Sequence, residues 1–319
     1  MSLLLPDIGL GTAAIAGLYK PVPLAAAIET LEEAWQQGIR YFDTAPHYGQ
    51  GKAERLLGDA LRTKPAEDYV ISTKVGRLLR PSTTRHAELN GFVDPLPFDQ
   101  SYDYSYDGIM RSFEDSYQRL GLSRIDILYL HDIGMRTHGG ANETYMAQLR
   151  DGGFRALERL KASGAIKAFG LGVNEVEICE DILEEIELDL ILLAGRYTLL
   201  DRSAERSLLK TCLDKRTQLV IGGVFNSGIL ATGAHEEAHW DYGQAPQHIV
   251  DKVRSLSDLC RETNTPLPSA ALAFPKTHPA VACTLLGNSQ AARIKSNLQA
   301  LRNTTLTTDF KTRADAIVR

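Results

Sequence analysis

The chain has 319 residues, 44% of them hydrophobic and 24% charged, with a formal net charge of −5. That balance belongs to a globular protein with a large core. It excludes a disordered chain, a basic nucleic-acid-binding surface and a polybasic membrane anchor. No apolar run approaches the ~20 residues that span a bilayer, and residues 1–6 lack the basic region and cleavage signature of a secretory signal. The cysteines, Cys179, Cys212, Cys260 and Cys283, are scattered without metal-ligand spacing. They suit a reducing compartment, so a cytoplasmic protein is expected.

Strand-like and helix-like segments then alternate. Residues 8–12 read as a first strand. Leu24, Ile28, Leu31 and Trp35 recur at helical spacing and predict an amphipathic helix closed by Gly38. Residues 41–43 are a second predicted strand, with a helix over 53–61. Residues 70–74 are a third; its helix carries Ile109, Phe113, Tyr117 and Leu120 and stops at Gly121. Strands over 125–131, 168–173, 188–193, 219–222 and 281–286 follow, paired with helices over 154–161, 176–186, 204–214, 249–261 and 291–301. One more helix is expected over 269–274.

Eight such alternations predict an α/β fold, a single (β/α)8 TIM barrel over residues 1–319 with its active site at the C-terminal face of the strands. An open doubly wound sheet is the alternative. Against it, the first βα turn, Gly9-Leu10-Gly11-Thr12-Ala13-Ala14, lacks the third glycine of a dinucleotide fingerprint. Two long connections, residues 77–107 and 132–151, leave the ends of the third and fourth strands and would cover the barrel mouth.

Asp43, Lys74, His131 and Asn174 fall at or just past strand C-termini, and Tyr48 lies in the loop after Asp43. In a barrel these positions converge. The set suits hydride transfer with a tyrosine acid/base. Lys74 would stabilise the phenolate and draw down a pKa that is ordinarily about 10. Asp43 would supply the anion that a buried Lys74 needs, and His131 would orient the substrate oxygen. Side chains offer no hydride donor, so a nicotinamide cofactor is implied. Each residue alone has a structural alternative: a turn cap for Asp43, a rim charge for Lys74, a core position for His131. Their arrival on three successive strands favours the site.

Residues 38–49 (Gly-Ile-Arg-Tyr-Phe-Asp-Thr-Ala-Pro-His-Tyr-Gly), Ala53-Glu54-Arg55-Leu56-Leu57-Gly58, Ser72-Thr73-Lys74 and Leu128-Tyr129-Leu130-His131-Asp132 resemble the aldo-keto reductase superfamily. The resemblance spans essentially the whole chain and implies a catalytic tetrad of Asp43, Tyr48, Lys74 and His131. Residues 103–112, 172–175 and 225–230 resemble the D-threo-aldose (L-fucose) 1-dehydrogenases. Plant-type L-galactose dehydrogenases and pyridoxal 4-dehydrogenases share much of this pattern. In that group a cyclic hemiacetal loses hydride from its anomeric carbon and becomes a lactone, with Tyr48 as base. General carbonyl reduction, or a non-catalytic cofactor-sensing subunit, are the alternatives.

The resemblance further implies NADP or NAD. Its contacts would be Thr12, Asn174 (nicotinamide carboxamide), Phe225, Asn226, Ser227 and Gly228 (the loop over the pyrophosphate), Leu230, Gly287, Asn288, Arg293 (a 2′-phosphate) and Asn297 (adenine). Gly287-Asn288 stand where many NADP-preferring relatives have Lys-Ser. Gly222 stands for a stacking tyrosine, and Ala194 for a glutamine. Tyr19, His47 and Tyr104, with Tyr102 and Tyr106, are the candidates for a pocket that takes a small sugar or aldehyde. No metal, nucleic-acid or membrane partner is expected, and the chain is expected to be a monomer or weak homo-oligomer.

Overall fold

Apolar strands alternating with amphipathic helices must bury both strand faces, and a closed parallel sheet ringed by helices does so. The structure, a computed structural model, describes residues 4–241 and 243–319. Residues 1–3, the head of the segment read for a secretory signal, lie outside the described residues. The barrel strands are β1 (Ile8–Gly11), β2 (Tyr41–Asp43), β3 (Val70–Val75), β4 (Ile127–His131), β5 (Ala168–Val173), β6 (Leu190–Ala194), β7 (Gln218–Gly222) and β8 (Val281–Gly287). All pair in parallel with their sequence neighbours, and β8 closes the ring by pairing with β1. The barrel is the expected one, with strand ends shifted by one or two residues.

Around it run α1 (Leu24–Gln36), α2 (Lys52–Leu61), α3 (Tyr106–Leu120), α4 (Phe154–Ala162), α5 (Glu177–Glu185), α6 (Leu208–Lys215), α7 (Gln247–Glu262) and α8 (Ala291–Arg302). A short helix, Leu267–Ala273, precedes β8. A C-terminal helix, Thr308–Val318, adds to the expected set; Thr307 Oγ1 caps it by accepting from the Phe310 N–H at 3.1 Å. Among the described residues, no helix is long and apolar enough to cross a membrane.

Alternation along the strands separates two cores. Tyr41, Ile127, Tyr129, Leu190, Leu192, Val220 and Leu285 belong to a cluster inside the barrel. A larger cluster fills the layer between strands and helices. Register then fixes the mouth. Asp43 pairs with Ser72 across β2 and β3, Lys74 with Tyr129 across β3 and β4, and His131 with Gly172 across β4 and β5. Three polar side chains thereby reach the same end of the sheet.

The long connection after β3 differs from a plain loop. Arg77–Pro81 pairs antiparallel with Phe98–Tyr102, and a second small ribbon, Glu88–Leu89 with Phe92–Val93, extends from it. The ribbon docks on the loop after β1, where the Tyr19 N–H donates to Gly91 O at 2.8 Å. The connection after β4 carries the helices Met135–His138 and Asn142–Gln148. After β7, His239–Trp240 pairs with Gly243–Gln244. Asp241 between them accepts from Arg136 Nη1 and Arg196 Nη2, both at 2.8 Å, tying together the loops after β4, β6 and β7.

Candidate active site

Asp43 ends β2 at 2% exposure, where an isolated charge would be costly. Its Oδ2 accepts from Lys74 Nζ at 2.7 Å, and its Oδ1 from Ser72 Oγ at 2.7 Å. Lys74 Nζ also donates to Thr44 O at 2.9 Å. Burial pulls the Lys74 pKa down, but the Asp43 carboxylate and Tyr48 outweigh it, and the net direction is up. Lys74 is therefore a fixed cation. A column of hydroxyls supports the pair from below: Tyr129 OH lies 2.9 Å from Tyr41 OH, and Tyr41 OH 3.0 Å from Ser72 Oγ. Ser72 gives its one proton to Asp43, so Tyr41 must donate to Ser72 and Tyr129 to Tyr41. Every proton in the column points toward the carboxylate.

Tyr48 stands over this pair, with Lys74 Nζ 4.6 Å from the centre of its ring. Burial raises the Tyr48 phenol above its usual 10, and Lys74 offsets this only in part. The expectation that Lys74 would draw Tyr48 below 10 is thus corrected: desolvation outweighs the ammonium, and Tyr48 is a phenol at neutral pH. His131 lies edge-on to Tyr48, with ring centres 6.0 Å apart. Burial, with Arg77, Lys74 and His47 nearby, holds its pKa well below 6.5, so the imidazole is neutral. Asp132 Oδ2 is 3.4 Å from its Nε2, and the Tyr104 hydroxyl donates to its backbone oxygen at 2.6 Å.

A groove of about 640 Å³ runs from Tyr48 and Asp43 past residues 222–228 to Gly287, Asn288, Ser289, Arg293 and Asn297. The volume is within the range of small-molecule and cofactor sites. Its floor is small: Ala194, Gly195, Gly222 and Gly223. A Cβ built on Gly222 would meet Leu192 at 3.4 Å and narrow the floor. Both acids that line the groove are already neutralised, Asp43 by Lys74 and Asp241 by Arg136 and Arg196. Arg293 has no ion pair among the described residues and sits in the first turn of α8, whose dipole also favours an anion. These features fit a nicotinamide dinucleotide, which the groove residues and Arg293 could hold.

Several expected contacts lie elsewhere. Thr12 is 0% exposed; its Oγ1 donates to Asp43 O at 2.9 Å, so it braces the strand end and does not line the groove. Leu230 is also 0% exposed and packs into the core. Asn226 does line the groove, its side chain held by Thr198 Oγ1 at 2.6 Å and Gly195 O at 3.2 Å. Asn174 follows β5, half-buried, outside the groove lining. Tyr104, expected in the substrate pocket, is 0% exposed and bonds His131 O and His138 Nε2 beneath the mouth. Tyr19 does line the groove, half exposed, and hydrogen-bonds Ser227 from the opposite loop. Phe225, Ser227, Gly228, Gly287, Asn288, Arg293 and Asn297 also line it.

Three residues at the mouth were not singled out from sequence: Arg77, Gln100 and Asp132. Arg77 is buried and pairs through Nη2 with Asp132 Oδ2. Its Nη1 lies 3.0 Å from His47 Nδ1 and 3.2 Å from Gln100 Oε1. Asp132 directly follows His131 in the Leu-Tyr-Leu-His-Asp motif, the one sequence signal that pointed here.

The profile of the Aldo/keto reductase family matches residues 7–319. A pyridoxal 4-dehydrogenase of Microbacterium luteolum is 50% identical over 301 residues, covering 91% of this chain and 88% of that one. A D-threo-aldose 1-dehydrogenase of a Pseudomonas species is 38% identical over 303 residues, covering 93% and 89%. Among solved structures, the holo form of the aldo-keto reductase AKR11C1 from Bacillus halodurans superposes with a TM-score of 0.74 at 23% identity. That match covers 99% of this chain and 93% of the other and shows the shared fold.

Proposed function

Because the chain belongs to the aldo/keto reductase family and is an oxidoreductase, we propose that it oxidises a cyclic hemiacetal to a lactone with NAD or NADP. Tyr48 is the acid/base. Bound nicotinamide would accept the hydride, which no side chain can do. The observation that carries the reading is the Asp43–Lys74–Tyr48–His131 cluster opening onto a groove of cofactor size.

The chain's own residues have separable tasks. Tyr48, as phenolate, removes the hydroxyl proton of the hemiacetal as the carbon gives up its hydride; in the reverse direction the phenol returns that proton. Lys74, locked by Asp43, stabilises the phenolate while it exists. Neutral His131 orients the substrate oxygen without competing for the proton.

The two relatives act on molecules with one chemistry in common. An aldose closes on itself as a hemiacetal, and so does pyridoxal, whose aldehyde sits beside a hydroxymethyl group. The 50% identity favours a pyridoxal-like aromatic hemiacetal over a sugar, which reverses the order suggested by the sequence motifs. A steady-state screen of pyridoxal, L-fucose, D-arabinose and L-galactose with both nicotinamides tests this. The expected result is reduced nicotinamide formed together with a lactone. Turnover of no hemiacetal with either nicotinamide would end the proposal.

A further inference from the structure

Resting on the reading above, we infer that His47 is a substrate-binding donor. Its Nε2–H grips a second oxygen of the substrate, a hydroxyl or phenolic oxygen flanking the reacting carbon, and Arg77 fixes the tautomer that makes this possible.

Hydrogen-bond bookkeeping carries the inference. A guanidinium only donates, so the 3.0 Å contact from Arg77 Nη1 requires His47 Nδ1 to accept. Gln100 presents both ends of its amide to the same Nδ1, Oε1 at 3.1 Å and Nε2 at 2.9 Å, so Arg77 decides between them: with Nη1 donating to Nδ1 and, at 3.2 Å, to Oε1, it is Gln100 Nε2 that donates to Nδ1. With two donors aimed at Nδ1, the ring proton must sit on Nε2. His47 is also kept neutral, its pKa lowered to about 3 by burial and by the charges of Arg77 and Lys74, with Gln100 in partial opposition.

The Nε2–H so created has no hydrogen-bond partner among the described residues, and it is not among the buried polar atoms left unpaired. It therefore keeps contact with solvent, and we place that opening on the substrate side of the mouth, beside the groove and not in its lining. The ring is held edge-on to Phe92 at 5.4 Å and to His131 at 5.7 Å, with Tyr48 adjacent in sequence and its ring centre 6.3 Å away. The free donor thus lies beside the acid/base, where a substituent next to the reacting carbon would fall. Arg77 is a positioning residue: its Nη2 is anchored on Asp132, next to His131, so one guanidinium orients both histidines.

Imidazole 15N spectroscopy of the wild-type protein reads the tautomer directly. His47 is expected as the Nε2-protonated form, and Arg77→Met should convert it to a mixture. An Nδ1-protonated His47 in the wild type would overturn the inference without any variant having to fold. Kinetics supply the second readout, using whichever substrate is turned over and its analogue lacking the flanking oxygen: pyridoxal with 3-deoxypyridoxal, or L-fucose with 2-deoxy-L-fucose. His47→Phe should raise KM for the parent by about tenfold or more, leave the deoxy analogue's KM nearly unchanged, and alter kcat less than KM. His47→Gln, whose amide N–H reaches a similar position, should restore much of the loss. Equal losses on both substrates would refute His47 as the donor while leaving hemiacetal oxidation intact. Turnover of neither substrate would instead refute the proposed function.

Discussion

At the scale of single residues, Tyr48 must give up a proton that its surroundings help it keep. Burial raises its pKa above 10 and Lys74 only partly offsets the shift. Oxidation needs the phenolate and reduction needs the phenol, so the two directions should respond to pH with opposite sign. Between neutrality and pH 10, kcat/KM for oxidation should climb about tenfold per pH unit, while kcat/KM for carbonyl reduction stays flat until Tyr48 ionises. Parallel pH profiles on one substrate pair check this; an oxidation rate independent of pH over that range would exclude Tyr48 as base. Lys74 carries a second prediction. Removing the cation strands a buried carboxylate, so Lys74→Met should cost about 3–5 kcal/mol in urea unfolding. Adding Asp43→Leu should recover part of that loss. The tetrad was legible in sequence because each member ends a strand or follows one. Arg77, Gln100 and Asp132 were not, because their meaning comes from antiparallel pairing within one connection and from a contact across 55 residues to the next. Tyr104 misled for the same reason: a tyrosine in a loop reads as a rim residue until α3 and the helices after β4 close over it.

Among the secondary-structure elements, two of the segments that carry the resemblance are packing devices. In the segment over residues 53–58, Glu54 is buried in α2, where it accepts from Thr73 Oγ1 at 2.7 Å and Arg119 Nε at 2.5 Å. This ties α2 to β3 and α3. Gly58, one turn on, lets α2 meet the end of α3; an added Cβ would lie 1.8 Å from Leu120 O. Gly58→Ala should therefore destabilise by about 1–3 kcal/mol or more. Gly140→Ala, where a Cβ meets nothing within 4 Å, should stay within about 0.5 kcal/mol. Comparing urea midpoints of the two variants checks the packing argument; equal effects would contradict it. The segment over residues 103–108 is similar: Ser105 Oγ caps α3 by accepting from the Gly108 N–H at 3.1 Å, and Asp103 Oδ1 steadies Ser105. Periodicity revealed the barrel strands and their helices, since each repeats one burial pattern. It could not reveal the ribbon after β3 or the Asp241 strap after β7, which depend on non-local pairing and ion pairs.

For the molecule as a whole, buried titratable groups set a two-sided stability window. Tyr41, Tyr104 and Tyr129 are raised well above 10 by burial. Above pH 10 the unfolded chain loses those protons while the native one keeps them, so stability falls as pH rises. His47 and His131 are depressed by burial, His47 to about 3. Below pH 6.5 the unfolded chain binds protons that the native one refuses, so stability falls again as pH drops toward 3. The four buried cysteine thiols, raised above 9 by burial, bring the alkaline edge down further, so thermal midpoints from pH 4 to 11 should form a plateau between 6.5 and about 9. A midpoint still rising above pH 10 would contradict the buried-tyrosine account. The same closed barrel that buries these groups also brings Asp43, Tyr48, Lys74 and His131 to one mouth from three strands and a loop. That convergence is the central claim, and isotope transfer tests it most directly. A hemiacetal substrate deuterated at its anomeric carbon should pass the label to the nicotinamide ring and leave a lactone, with Tyr48→Phe slower by about 10²–10⁴-fold yet still binding cofactor. Label retained on the substrate, or transfer at the wild-type rate in Tyr48→Phe, would contradict the account.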